Sequence, residues 1–215
     1  MRAALIGLAL YSATGLAALG GLTAMPALAA PTTVALPSGK YVVDPTHASL
    51  SWSVVHFGLS NYTARFVKFD ASVDLDAADV SKSTLKVKVD PASVRTDYPY
   101  PDKVNFDAEI ATSPKFLDGT AHPNVTFVST GIVVTGAKTA NITGNLTLRG
   151  VTKPVTLAAV LNGSMPAHPM TKLPVFGISA KGSFKRSDFG MDYGTQFVSD
   201  TVELVIEAEF TKAPN

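Results

Sequence analysis

Four histidines, His47, His56, His122 and His168, are the side chains of this sequence best suited to hold a metal or relay a proton. No two of them stand in an HxH, HxxxH or HExxH pattern, so local spacing offers a metal ion no pair of imidazoles on one face. His122 precedes Pro123 and His168 lies between Ala167 and Pro169, which reads as two loop residues. Asp74, Asp76 and Asp79 are spaced like the start of a calcium loop. The sixth position, which needs glycine, is Asp79, and the twelfth, which needs glutamate, is Leu85; a solvated turn fits better. Ser83 and Lys86 match the Ser-x-x-Lys spacing of acyl-transferring enzymes, but that chemistry needs both on one side of a helix, and in a strand they face opposite ways. No Gly-x-Ser-x-Gly elbow, phosphate-binding glycine loop or dinucleotide fingerprint occurs, and without cysteine there is no thiol nucleophile. The motifs therefore support neither a catalytic residue nor a metal site.

The ends and the charges bound what is left. Arg2, the uncharged run Leu5 to Leu22 and the small-x-small triplet Ala27-Leu28-Ala29 form a signal peptide over residues 1–29, predicted to be cleaved after Ala29. The competing reading is a retained membrane anchor, which Gly7, Gly15, Gly20 and Gly21 disfavour. Cleavage implies a periplasmic or secreted protein. Residues 30–39 read as a linker, and residues 40–212 as one domain; the mature chain of about 185 residues is long enough for a sizeable core. With no cysteine it is held by packing alone. Of 18 basic residues Arg2 leaves with the leader, which balances the remainder against 17 acidic ones. That balance, without clusters, argues against a nucleic-acid partner.

The elements that would position any site alternate with period two. Leu50, Trp52, Val54 and His56 share one face; so do Val67, Phe69, Ala71, Val73 and Leu75, with Lys68, Asp70, Ser72 and Asp74 opposite. The pattern returns at Leu85–Val89, around Val125 and Phe127, at Ile142–Leu148, Val155–Leu161, Phe176–Phe184 and Val202–Phe210. About eight strands follow, joined by turn signals at Thr135–Lys138, Arg149-Gly150 and Asn162-Gly163. Only Tyr98 to Gly119 departs. Phe106 and Ile110 fall four apart on one helical face, and Ser113-Pro114 looks like the start of a further helical turn. The class is all-β and antiparallel, with a short helical segment near residues 101–118. Sandwich and barrel both protect the edges, but strands of ten residues or more suit a barrel enclosing a cavity.

Specific blocks then carry a resemblance. Tyr41-Val42-Val43-Asp44-Pro45 with His47, and Trp52-Ser53-Val54-Val55-His56-Phe57-Gly58, are similar to the opening of the YceI-like family of lipocalin-like, polyisoprenoid-binding proteins. His122-Pro123-Asn124-Val125-Thr126-Phe127, Gly144 to Val155, and Arg186-Ser187-Asp188-Phe189-Gly190-Met191 with Val198-Ser199-Asp200 resemble later blocks of the same family. The resemblance implies an extended eight-stranded antiparallel lipocalin-like barrel that binds a long isoprenoid or comparable lipid without catalysis, with transport or storage of that lipid as the implied role. One departure is Ala64-Arg65-Phe66, where the family has glycine before the Phe; it implies an altered pocket mouth.

The inward-facing candidates for an apolar lining are Trp52, Val54, Phe69, Val73, Val87, Phe127, Leu146, Leu157, Phe176, Ile178, Phe184, Leu204 and Ile206. In a tightly filled barrel the same residues would be ordinary core. His56 and Arg186 are the candidates for a ligand head group, with Asp188 as an alternative partner for Arg186. No cofactor is expected beyond the bound lipid; transient membrane contact and a homodimer are both compatible. The rival function is an accessory to a membrane quinone or haem system. An isomerase or hydrolase would need a titratable pair inside the cavity.

Overall fold

The structure, a computed structural model, describes residues 34–214; the leader expected at residues 1–29 lies outside them. Its strands are β1 (Gly39–His56), β2 (Ser60–Phe66), β3 (Phe69–Leu75), β4 (Thr84–Val89), β5 (Val94–Arg95), β6 (Val125–Gly136), β7 (Thr139–Leu148), β8 (Val151–Met165), β9 (Val175–Lys185) and β10 (Thr201–Lys212). Among the described residues one α-helix, α1, spans Phe106–Thr112. Every strand pairing is antiparallel, and β10 returns to β1, so that β1, β3, β4, β6, β7, β8, β9 and β10 close into a ring of eight. β2 and β5 extend walls rather than adding any. β3 pairs with the beginning of β1, Gly39 opposite Leu75, and β2 with its end, Leu50 opposite Phe66 and His56 opposite Ser60. β2 and β3 are thus one long strand interrupted at Val67-Lys68, and β4 and β5 are another interrupted at Pro91–Ser93. Closure gives each of the eight walls a hydrogen-bonded neighbour on both sides, which protects the edges of half-apolar strands of this length.

Three local expectations are corrected. Val67, assigned to the inward face by alternation, is 54% exposed. The strand breaks there because Val67 N and Lys68 N donate to Ser93 O and Oγ, both at 3.1 Å, in place of a ladder partner. Asn162-Gly163 is not a turn: it lies within β8, where the register against β9 shifts between Leu161 and Gly163. A bulge takes the same residue types as a turn because it too needs a locally unpaired, flexible backbone. The chain reverses instead after Met165. Ser113 is the C-cap of α1, its N–H donating to Glu109 O at 3.0 Å, and one tight turn follows rather than a second helix.

The barrel is filled at one end and hollow at the other. Tyr41 and Phe210 are fully buried; Phe176 meets Tyr41 edge-on at 5.2 Å and stacks on Phe210 at 5.1 Å. These rings form a floor across the end where β1 begins. Residues 34–38 of the expected linker are packed against this end: Leu36 is buried, Tyr41 Oη donates to Pro37 O at 2.8 Å, and Ala77 N to Ser38 Oγ at 2.9 Å. At the opposite end α1 lies over a smaller cluster of Ala64, Val94, Ile110 and Ala111. Asn105 caps it by accepting from Ala108 N at 3.0 Å, and Asp107 Oδ1 accepts from Thr96 N and Oγ1 at 2.8 and 2.6 Å. The following turn is tied down by Arg149, whose Nη1 donates to Pro114 O and Phe116 O at 2.6 and 2.5 Å. Arg149 and Gly150 both have positive φ, 52° and 74°, as a two-residue hairpin between β7 and β8 requires.

The seam between β1 and β10 carries a pH-sensitive pair. Pro45 cannot donate to the ladder, and the register shifts between Val43 and Ala48. Within this bulge Asp44 accepts from Thr46 N and Oγ1 at 2.8 and 2.6 Å, and its other oxygen lies 2.9 Å from His47 Nδ1. The hydrogen bonds from His47 and Thr46 pull Asp44 down to about 2, and Asp44 in turn raises the pKa of His47. Asp44 adds stability above its ordinary carboxylate value and loses it as pH falls toward 2. His47 adds stability below its ordinary imidazole value and loses it as pH rises through its raised one. The pair is accordingly strongest between about pH 4 and pH 6.5. Thermal melts across pH 4–8 should show a small stability maximum in that window, flattened in His47→Asn; identical pH profiles for the two proteins would contradict the assignment.

Candidate functional site

Between the aromatic floor and α1 lies a cavity of about 740 Å³. It falls within the range of about 300–1,000 Å³ typical of small-molecule sites. Among the sequence-predicted residues Trp52, Val54, Val87, Phe127, Leu146, Leu157, Phe184, Leu204 and Ile206 line it. Their alternation is the cause, since every second residue of each wall points inward. Val73, Phe176 and Ile178 lie at the opposite end, lining a separate space of about 130 Å³. Phe69 lines neither. It is half-buried beside the break at Val67-Lys68, opposite the cavity-lining Val89 on β4. The Phe127 ring fits over Gly144, two residues from its register partner Leu146 on β7; a Cβ there would overlap the ring.

Most of the roof was not visible to strand periodicity; only the helical spacing of Phe106 and Ile110 pointed to it. Phe106 and Ile110 of α1, Phe116 and Leu117 of the next turn, and Met191, Tyr193, Phe197 and Val198 from the β9–β10 connection complete the lining. Leu50, Phe66, Val89 and Val202 do follow the strand alternation and were legible in principle.

His56 and Arg186 are brought to the same rim. His56 pairs with Val198 as an isolated bridge, and Arg186 Nη2 donates to Val198 O at 2.9 Å. Their circumstances differ. His56 is exposed, edge-on to Phe57 at 4.7 Å. Arg186 is 7% exposed and committed: Nε donates to Ser199 O at 3.0 Å, and Nη1 to Met191 O and Tyr193 O at 3.0 and 2.7 Å. With Val198 O, that is four carbonyls of one loop held on a single guanidinium. Burial lowers its pKa, while the charges of Asp200 and Asp192 oppose that shift. Asp188 makes no ion pair with it among the described residues; the carboxylate nearest in effect is Asp200, which accepts from Ser187 N and Oγ at 2.9 and 2.8 Å. Arg186 therefore builds the rim, a role its strand position did not reveal because a short helical turn at Arg186–Phe189 removes it from the β9 alternation.

Two buried polar atoms stand out in the wall under α1. Trp52 Nε1 and Tyr62 Oη have no hydrogen-bond partner, and their rings lie 6.5 Å apart. Burial pushes the Tyr62 hydroxyl pKa up. Thr96 lies beside the phenol without reaching hydrogen-bonding geometry, and its own proton goes to Asp107. Because removing an unpartnered buried hydroxyl costs nothing and relieves its desolvation, Tyr62→Phe is expected to be neutral or stabilising by about 1 kcal/mol. A urea unfolding curve showing a loss above about 1 kcal/mol would mean that the hydroxyl has a partner.

No Asp, Glu or Lys lines the cavity among the described residues, and its polar lining is confined to groups such as His56, Tyr62 and Arg186 near the mouth. Such a surface can hold a long apolar body by burial alone, and it offers no carboxylate–imidazole pair for proton transfer.

The YceI-like domain model matches residues 41–210. A UPF0312 protein of Pseudomonas putida (strain W619) is 36% identical over 177 residues, covering 81% of this chain and 88% of that protein. Of solved structures, Burkholderia cenocepacia BcnA is similar with a TM-score of 0.67 and 23% identity, over 78% of this chain and 98% of that one. A Campylobacter jejuni YceI protein gives 0.63 and 28%, over 73% and 88%. A polyisoprenoid binding domain from Saccharophagus degradans, implicated in plant cell wall breakdown, gives 0.58 and 12%, over 82% and 100%. A match across nearly all of the described barrel, with the same closed architecture in the solved structures, makes this chain a member of the YceI-like domain family.

Proposed function

We propose that the protein is a non-catalytic carrier that binds a long apolar lipid, a polyisoprenoid or a quinone-like molecule, in the upper half of the barrel. The observation that carries this reading is the cavity itself: about 740 Å³, lined mainly by aliphatic and aromatic side chains and closed at one end by packed rings. An isoprenoid chain entering from the mouth would remove its own apolar surface from water together with that of the lining, at roughly 25 cal/mol per Å². The polyisoprenoid binding by the domain from Saccharophagus degradans, which shares the fold, supports the same class of ligand. The signal-peptide pattern read in residues 1–29 supports export, so carriage would take place in the periplasm or outside the cell.

Organic extraction of protein purified without detergent from its native envelope, followed by mass spectrometry, tests the reading. The expected result is a stoichiometric isoprenoid or quinone; protein free of lipid, which also takes up none when it is supplied, would refute it. A visible absorption spectrum of the same material separates this from haem handling, since a Soret band would favour the redox-accessory role.

A further inference from the structure

We propose that the mouth of the barrel docks on a lipid bilayer, with the β1–β2 turn as the inserting tip; the inference rests on the carrier reading and concerns how the ligand enters. That turn is Phe57-Gly58-Leu59, where a hairpin ordinarily carries polar residues. Leu59 is 86% exposed and Phe57 55% exposed. Phe57 also sits at φ 51°, a left-handed conformation disfavoured for a bulky residue, so the chain maintains strain to display an aromatic there. Phe57 stacks on Phe197 at 5.1 Å, and its N–H donates to Phe197 O at 2.7 Å. Phe197 belongs to the loop that Arg186 fixes, so the tip is rigid rather than a loose end.

Across the mouth the surface is amphipathic in the manner of a membrane interface. Lys103 Nζ lies over the Tyr100 ring at 4.9 Å and Lys115 Nζ over the Tyr193 ring at 4.5 Å, with both tyrosines more than half exposed. Phe57, Phe197 and Tyr193 face the cavity and the outside at once. Apolar surface thus runs from the lumen to the rim along Phe57, Phe197 and Tyr193, beside the polar groups of the mouth, and gives a water-insoluble ligand an exit path that something apolar should cover. Asp102 adjoins Lys103, and Asp192 adjoins the Tyr193 over which Lys115 lies, so these lysines form no polybasic patch. That charge balance fits a bilayer entered by apolar insertion rather than by attraction to anionic lipid.

The test is flotation of the mature protein with phosphatidylcholine/phosphatidylethanolamine vesicles, with and without phosphatidylglycerol. The expected result is association that changes little between low and high salt or with anionic lipid, and that falls about tenfold in Leu59→Asp, one large apolar side chain being worth that much. Leu59 does not line the cavity, so uptake of an isoprenoid added from ethanol, read by fluorescence of the single tryptophan, Trp52, should be unchanged in the variant. No association, association abolished by salt, or equal association of the variant would each overturn the proposal. So would a dimer in solution that Leu59→Asp dissociates, because the tip would then be covered by a second copy. Failure of isoprenoid uptake with vesicle association intact would instead overturn the carrier reading and the purpose assigned to the docking.

Discussion

Replacing Arg186 with Met should cost the fold about 3–5 kcal/mol, because four carbonyls lose a charged donor, at about 1.5–3 kcal/mol for each such bond before water replaces part of it. The side chain is nearly inaccessible and donates four hydrogen bonds to backbone carbonyls of residues 191–199. Met fills the volume but leaves four acceptors without donors, and each buried orphan costs about 1–3 kcal/mol before water reaches it. Arg186→Lys keeps the charge but has no planar fork, so it should recover less than half of the loss. Urea unfolding of the three proteins measures this directly. A loss below about 1 kcal/mol in Arg186→Met, with ligand uptake selectively weakened, would return Arg186 to the head-group role that its sequence position suggested.

The opposite behaviour is expected of cavity filling. Val54 and Leu204 line the hollow half of the barrel, on adjacent strands. Val54→Trp combined with Leu204→Phe places two larger rings where the barrel is empty, so added contacts replace void rather than overpack a filled core. Stability should hold or rise slightly, while lipid uptake falls at least about a hundredfold, since the occupied volume can no longer be vacated. Loss of both stability and uptake would show instead that these positions are already packed.

How far the sequence reaches is clearest from the residues that break its pattern. Eight walls follow from period two because each strand has one wet face and one dry face, and their antiparallel wiring follows from the short turn signals between them. The nine lining residues found in the cavity are those for which alternation alone decides direction. Val67 fails because Ser93, 26 positions later, supplies its hydrogen bond, a tertiary fact with no local signal. Phe176, Ile178 and Val73 point inward as expected, yet whether inward means core or cavity depends on Tyr41 and Phe210 meeting Phe176 across the barrel. Arg186 lines the cavity, as its spacing to Phe184 suggested, but its four bonds are fixed by the path of a loop and have no local signal. The roof from α1 and residues 191–198 has no periodicity to betray it. The pair Phe106 and Ile110 alone hinted at a covering helix.

The most direct test of the account is a titration of the mature protein with a long isoprenol, followed through Trp52, which is the chain's single tryptophan and lies in the cavity wall. Saturable binding at one lipid per chain with a change in Trp52 emission, absent in Val54→Trp/Leu204→Phe when the same binding is read with radiolabelled isoprenol, is the predicted result. No saturable uptake by the unmodified protein, or equal uptake by both, would contradict the assignment of the upper barrel as the lipid site.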